Sequence, residues 1–182
     1  MNKVARNYFY NLSYQILVLI VPLVTAPYIS RVLGAKGLGI FSYTNSIVQY
    51  FILFGCVGLN VYGQREIAYV QNEIVERDRV FWELVILRII TVSISLLVYL
   101  LSLASHGTYA IVFSIMSIDI IASMIDISWF FQGIEDFKKI VIRNFIVKIT
   151  GVVLIFLFVK SSSDLYLYVI CQSATLLLGN LS

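Results

Sequence analysis

Two carboxylates with little reason to sit where they do are the first residues to ask chemistry of. Asp119 and Asp126 fall inside an otherwise apolar run from about residue 109 to 131. A run of that length reads as a helix long enough to cross a bilayer. Seven residues at about 100° each bring the two acids within roughly 20° of one another on one helix face, in a stripe with Ser123 and Phe130. A carboxylate near the bilayer centre costs about 2.5 to 3.5 kcal/mol on insertion scales, so two on one face call for a protein-lined or water-filled interior. They then serve either a translocation path, as proton- or cation-coupling groups, or internal salt bridges that fix helix packing. Lys148, on the following segment, lies at a suitable depth for such a bridge. Asp119 is the deeper of the two and the better coupling candidate.

Uncharged polar residues also recur at helical spacing. Asn11 and Gln15 are four apart, and Ser42, Asn45, Ser46 and Gln49 follow at intervals of three and four. Amides and hydroxyls so placed either line a cavity that takes sugar hydroxyls or bond to neighbouring helices. Enzyme templates find little support, and the chain is read as a non-enzyme without cofactor or metal. His106 is the single histidine and sits in a turn, no Cys/His cluster exists, and no phosphate-cradling glycine motif opens a helix.

The elements that must position these groups are apolar segments. Hydrophobic residues make up 60% of the 182-residue chain and charged ones 13%, with a mean hydropathy of +0.92. Soluble domains are roughly half apolar and about a quarter charged, so the composition excludes an ordinary soluble fold. An all-α polytopic membrane bundle of about six spans is expected, over residues 8–30, 40–62, 85–105, 109–131, 140–159 and 165–182, forming one bundle from 1 to 182. The first span holds Pro22 and Pro27, where a kink is expected. Gly55 and Gly58 permit close helix approach near the end of the second. The connector over 64–83 is expected to be helical because acid and base alternate in it without Pro or Gly. Arg88 is read as snorkelling to the interface, and Trp129, Phe130 and Phe131 as interface anchors. Cys56 and Cys171 read as small buried hydrophobes rather than a disulfide.

Charge fixes an expected orientation. With the N-terminus inside, Lys3, Arg6, Arg65, Arg77, Arg79, Lys138 and Lys139 collect on the inner side against Arg31, Lys36 and Lys160 outside, which favours a cytoplasmic N-terminus. The net charge of +3 is small and scattered, and argues against a nucleic-acid partner.

Three stretches carry a resemblance to a known family. They are Pro27-Tyr28-Ile29-Ser30-Arg31-Val32-Leu33-Gly34 with Gly37-Leu38-Gly39 and Phe41-Ser42-Tyr43; Gly58-Leu59-Asn60-Val61-Tyr62-Gly63 leading into Arg65-Glu66-Ile67-Ala68; and Asp126-Ile127-Ser128-Trp129-Phe130-Phe131-Gln132-Gly133-Ile134-Glu135, the most specific. Together they resemble the N-terminal half of the polysaccharide flippases, the O-antigen, teichoic-acid and capsule repeat-unit transporters of the multidrug/oligosaccharidyl-lipid/polysaccharide exporter superfamily. The resemblance implies one lobe of a two-lobed alternating-access transporter that moves polyprenyl-diphosphate-linked oligosaccharides across the bacterial cytoplasmic membrane. Its substrate is then a lipid-linked oligosaccharide in contact with membrane lipids. Glycan polymerases, glycosyltransferases and a missing C-terminal half are the expected partners, and the chain is expected to be a fragment of a longer one. On that reading Arg31, Arg65 or Arg143 engages the diphosphate, Asn11, Gln15, Asn45 and Gln49 contact sugars, and Asp119 or Asp126 couples transport or holds helices. A cation-coupled exporter of drugs or metabolites from the same superfamily is the alternative, with a non-transporting fragment as the third reading.

Overall fold

A computed structural model describes residues 3–103 and 107–181, with side chains from Leu12 onward except Tyr14 and Leu17. All regular elements among them are helical, and the chain is a polytopic membrane bundle. The first helix, α1, runs Lys3–Cys56, followed by α2 (Leu59–Val70) and α3 (Ile74–Ser102). A short 3-10 turn at Gly107–Tyr109 leads to α4 (Ala110–Met124), α5 (Ser128–Gly133), α6 (Phe137–Phe158) and α7 (Leu165–Leu181). Among the described residues, four helical stretches are long and apolar enough to cross a membrane, within Val18–Val70, Ile74–Ser102, Gly107–Gly133 and Phe137–Phe158, while Leu165–Leu181 is a shorter apolar helix. The segment expected at 8–30 lies in the first arm of α1, and the one expected at 40–62 forms its second arm only to Cys56 before a break carries the chain into α2.

The arms part at Gly34, whose φ of 68° and ψ of 177° are the one non-helical pair inside α1. That region is open essentially to glycine alone. The backbone dihedrals remain helical through Pro22 and Pro27, where a kink is expected, and the non-helical break inside α1 lies at Gly34. A proline already has the helical φ, though it loses one hydrogen bond and crowds the carbonyl four residues before it, whereas the reversed φ at Gly34 takes the backbone out of the helical region.

Two further breaks shape the bundle. Val57 and Gly58 both take positive φ, 45° and 72°, and separate α1 from α2. Residues 125–127 separate α4 from α5, so the run expected as one continuous helix over 109–131 is discontinuous. The connector over 64–83 is helical on both sides of a turn at residues 71–73. Its exposed charges support the start of α3, where Arg79 pairs with Glu83 at 2.9 Å and with Glu76 at 3.8 Å.

The main core gathers Val48, Val92, Tyr99, Val112, Phe113, Met116, Ile120, Ile155 and Val169 between the second arm of α1 and α3, α4, α6 and α7. Close approach is local: a Cβ on Gly55 would lie 3.1 Å from Ser95 Cβ, and Ser95 Oγ donates to the Phe51 carbonyl at 2.6 Å. Gly55 is thus a packing glycine, while Gly58 serves the reversed φ. A second, smaller core joins Leu59, Ile67, Leu84 and Trp129 with Phe81 and Phe130. Cys56 and Cys171 are free and buried, in line with their reading as small hydrophobes.

The connectors gather at two ends. At one, Lys36 and Tyr109 line the same surface pocket, and the Tyr28 hydroxyl donates to the Val159 carbonyl at 2.7 Å. At the other, Arg77 lies over the Phe130 ring and Lys139 over Phe131.

Candidate functional site

Asp126 stands in the break between α4 and α5, and this break determines what it touches. Its Oδ1 accepts the Ser128 backbone N–H at 3.0 Å and, in a short bond, the Ser128 hydroxyl. It thereby satisfies one of the free donors at the start of α5. Two guanidinium groups flank the same carboxylate: Arg88 Nη2 is 3.9 Å from Oδ2, and Arg143 Nη2 is 3.8 Å from Oδ1. Arg143 also donates to Ser128 Oγ at 2.7 Å and to Asn144 Oδ1 at 3.1 Å.

Arg88 is the most buried member, with its side chain 3% exposed. It donates to Asn60 Oδ1 at 2.6 Å, to the Ser123 carbonyl at 2.8 Å, and weakly to Cys56 Sγ at 3.7 Å. The snorkelling expected of it does not occur. The breaks at 57–58 and 125–127 offer a side-chain amide, a free carbonyl and a carboxylate inside the bundle, and a guanidinium with fixed planar donors fits them. Trp129, expected at the interface, is likewise buried, at 3% exposure. A Cβ on Gly63 would meet its ring at 2.7 Å, and Phe81 stacks on it at 5.7 Å. α5 is therefore locked onto α2, which holds Asn60 and Asp126 at fixed positions around Arg88.

The other expected site residues fall into separate places. Asp119 is buried, its Oδ1 has no hydrogen-bond partner among the described residues, and it is not one of the residues that line the cavity with Lys148. Because α4 ends at Met124, the shared stripe of Asp119 and Asp126 is not formed. Asn45 and Gln49 do come together, with Gln49 Nε2 at 3.5 Å from Asn45 Oδ1. With Ser46, Tyr50 and Asn60 they line a groove of about 530 Å³. Gln15 is exposed on the first arm of α1, and the side chain of Asn11, like His106, lies outside the described residues. Arg31 is exposed at the end shared by Lys36 and Tyr109. Arg65, 63% exposed, is at the opposite end beside Glu66. Arg31 thus cannot share one ligand group with Arg65 or Arg143. Arg88, Asn60 and Ser128 belong to the network without having been singled out as site residues. The signal that leads to them is Asn60 two residues after Gly58 and Ser128 two residues after Asp126, positions typical of a helix break and a helix start.

Beside the network opens a cavity of about 720 Å³, lined by Arg143, Lys138, Lys139 and Asp136 and walled by Phe131, Ile142 and Ile146. Lys139 is balanced by Asp136 at 3.3 Å. Arg88 and Arg143 share a single carboxylate, so one positive charge of the network is left over, and Lys138 adds a second. Among the described residues, the arrangement presents two positive charges with no carboxylate of their own next to an apolar wall.

Comparison with known proteins agrees with this architecture. The family described as polysaccharide biosynthesis protein matches residues 4–181. A curated relative from Escherichia coli (strain K12) is 26% identical over 166 residues, and one from Shigella dysenteriae is 30% identical over 146 residues; both bear the name "Putative O-antigen transporter". The matches cover 89% and 79% of this chain but 40% and 37% of the relatives, so the chain spans about two fifths of their length. No solved structure matches. With its helical bundle matched along nearly its whole length, this chain belongs to the polysaccharide biosynthesis protein family.

Proposed function

We propose that the chain is the N-terminal lobe of a flippase that moves polyprenyl-diphosphate-linked oligosaccharide repeat units across the cytoplasmic membrane. The observation that carries this reading is the cavity beside Arg143, where two positive charges without a carboxylate of their own among the described residues meet an apolar wall. A diphosphate carries compensating negative charge, and charge-assisted bonds to it gain strength away from bulk water. The apolar wall of Phe131, Ile142 and Ile146 suits the first isoprene units. The groove of Asn45, Gln49 and Asn60 supplies amides for sugar hydroxyls, with Asn11 and Gln15 on the first arm serving the same role. Arg65 and Arg143 belong to the loading end and Arg31 to the release end, as alternating access around a midplane site requires. A second lobe completes the path, and glycosyltransferases and a polymerase act before and after it.

Cation exchange by an acidic pair has less support. Asp126 is held between two arginines, which leaves Asp119 alone for a coupling role.

The test is binding of polyprenyl diphosphate, polyprenyl monophosphate and polyprenol to the purified chain in detergent. Affinity is expected to fall in that order. Arg143→Ala and Lys138→Gln should each weaken diphosphate binding by about tenfold or more, since a hydrogen bond to a charged group contributes roughly 1.5 to 3 kcal/mol. Equal affinity for the alcohol and the diphosphate would refute the reading.

A further inference from the structure

Among the described residues, the one charged residue lining the cavity between the first arm of α1, α6 and α7 is Lys148. This cavity, about 350 Å³, lies apart from the network around Asp126 and is also lined by Thr25, Tyr168, Gln172 and Thr175. Lys148 is the twelfth of the 22 residues of α6, so about 16 Å of helix lies on either side of it. A lysine stem of about 6 Å cannot carry its ammonium from there to either interface. Among the described residues no carboxylate pairs with it. Asp119, on α4, is not among the residues that line this cavity.

The free donors of the cavity define what it takes. Thr25 Oγ1 donates to the Val21 carbonyl and Thr175 Oγ1 to the Cys171 carbonyl, so both hydroxyl protons are committed. Gln172 Nε2 donates to the Tyr168 hydroxyl oxygen at 3.2 Å. The Tyr168 O–H, the second Gln172 N–H and the three ammonium protons have no acceptor among the described residues. An intramembrane cation needs a partner, and a donor-rich wall around it selects a negative one.

We propose that half-buried Lys148, buried Tyr168 and exposed Gln172 form, at the open side of this cavity, a binding site for one small monovalent anion, a halide or a carboxylate, that serves as the counter-ion of Lys148. The site is independent of the flippase reading, because it involves neither Arg143 nor the groove of Asn45. The experiment uses the purified chain in detergent at constant ionic strength, with chloride, acetate or the bulky lactobionate as the only anion. One labelled chloride per chain is expected, with a melting temperature several degrees higher in chloride or acetate than in lactobionate. Lys148→Met, which keeps the stem, should abolish both effects. Lys148→Arg should retain them, and Tyr168→Phe should weaken binding by about tenfold. Stabilisation by acetate alone supports the site and assigns it to carboxylates. Chloride bound equally by Lys148→Met, or a melting temperature indifferent to all three anions in the parent, overturns it. Should Lys148→Met not fold, the Tyr168→Phe and Lys148→Arg measurements decide by the same criteria.

Discussion

Arg88 is the residue whose loss should cost the fold most per atom removed. Arg88→Ala strands Asn60 Oδ1, the Ser123 carbonyl and part of the Asp126 carboxylate at once. A loss of about 3 kcal/mol is expected from unfolding in mixed micelles, because a buried polar group left unpaired costs roughly 1 to 3 kcal/mol and a broken buried ion pair more. Arg65→Ala, at an exposed position, should stay within about 0.5 kcal/mol. A comparable loss in both variants would contradict the burial argument. Asp164 gives a pH dependence of known sign. Its carboxylate accepts the backbone N–H groups of Lys160 and Ser161 at 3.0 and 2.8 Å, which holds its pKa below the ordinary 3.8. A depressed folded-state pKa contributes stability above the unfolded value that is lost as pH falls through the folded one. Stability of the parent should therefore fall in the window below about pH 3.8 more steeply than that of Asp164→Asn. Of the candidate site, Asp126 and Arg143 are legible in the sequence because charges inside apolar runs announce themselves. Arg88 is not, because its position near the start of a span reads equally well as a snorkelling cation until the two helix breaks bring it partners.

At the scale of elements, the stretches that carry the family resemblance turn out to be contacts with one another. Gly63 packs on Trp129 and Gly133 on Ile67, so the second and third stretches form one joint between α2 and α5. A Cβ at Gly63 or Gly133 would lie 2.7 Å from its neighbour. Gly63→Ala and Gly133→Ala should each cost about 1 to 3 kcal/mol by overpacking. Gly39→Ala, with nothing within 4 Å and no reversed φ, should be neutral or slightly stabilising in its helix. Gly34→Ala separates the two causes, since its surroundings are open and only its φ of 68° resists a side chain. A cost of about 1 to 3 kcal/mol there reports backbone strain alone. Comparing unfolding midpoints of the four variants checks the assignment, and a neutral Gly34→Ala would show that the arms of α1 need no such turn. Helix existence was readable from apolar length. The positions of the breaks were not, since proline is the louder signal and yet leaves α1 helical, while Gly34, Gly58 and residues 125–127 redirect the chain through backbone conformations that composition does not report.

For the molecule as a whole, the grouping of connectors into two ends turns the charge count into a testable orientation. Arg65, Arg77, Arg79, Lys138 and Lys139 belong to the end where α2, α5 and the start of α6 meet, while Arg31, Lys36 and Lys160 belong to the other. Loops rich in Lys and Arg are retained on the cytoplasmic side. The end carrying the cavity of Arg143 is thus expected to face the cytoplasm, the side on which a lipid-linked donor would be loaded in the proposed flippase. Cys56 and Cys171 are buried, so they form a quiet background for thiol labelling. In intact cells a membrane-impermeant maleimide should label Lys36→Cys, at an exposed position, and should reach Lys139→Cys only after permeabilisation. The reverse pattern would place the Arg143 cavity outside and exclude it as the loading site, leaving Arg31 to receive the diphosphate. Labelling of both positions in intact cells would mean that the chain inserts in two orientations, in which case neither end has a fixed side and a directional flippase lobe is excluded.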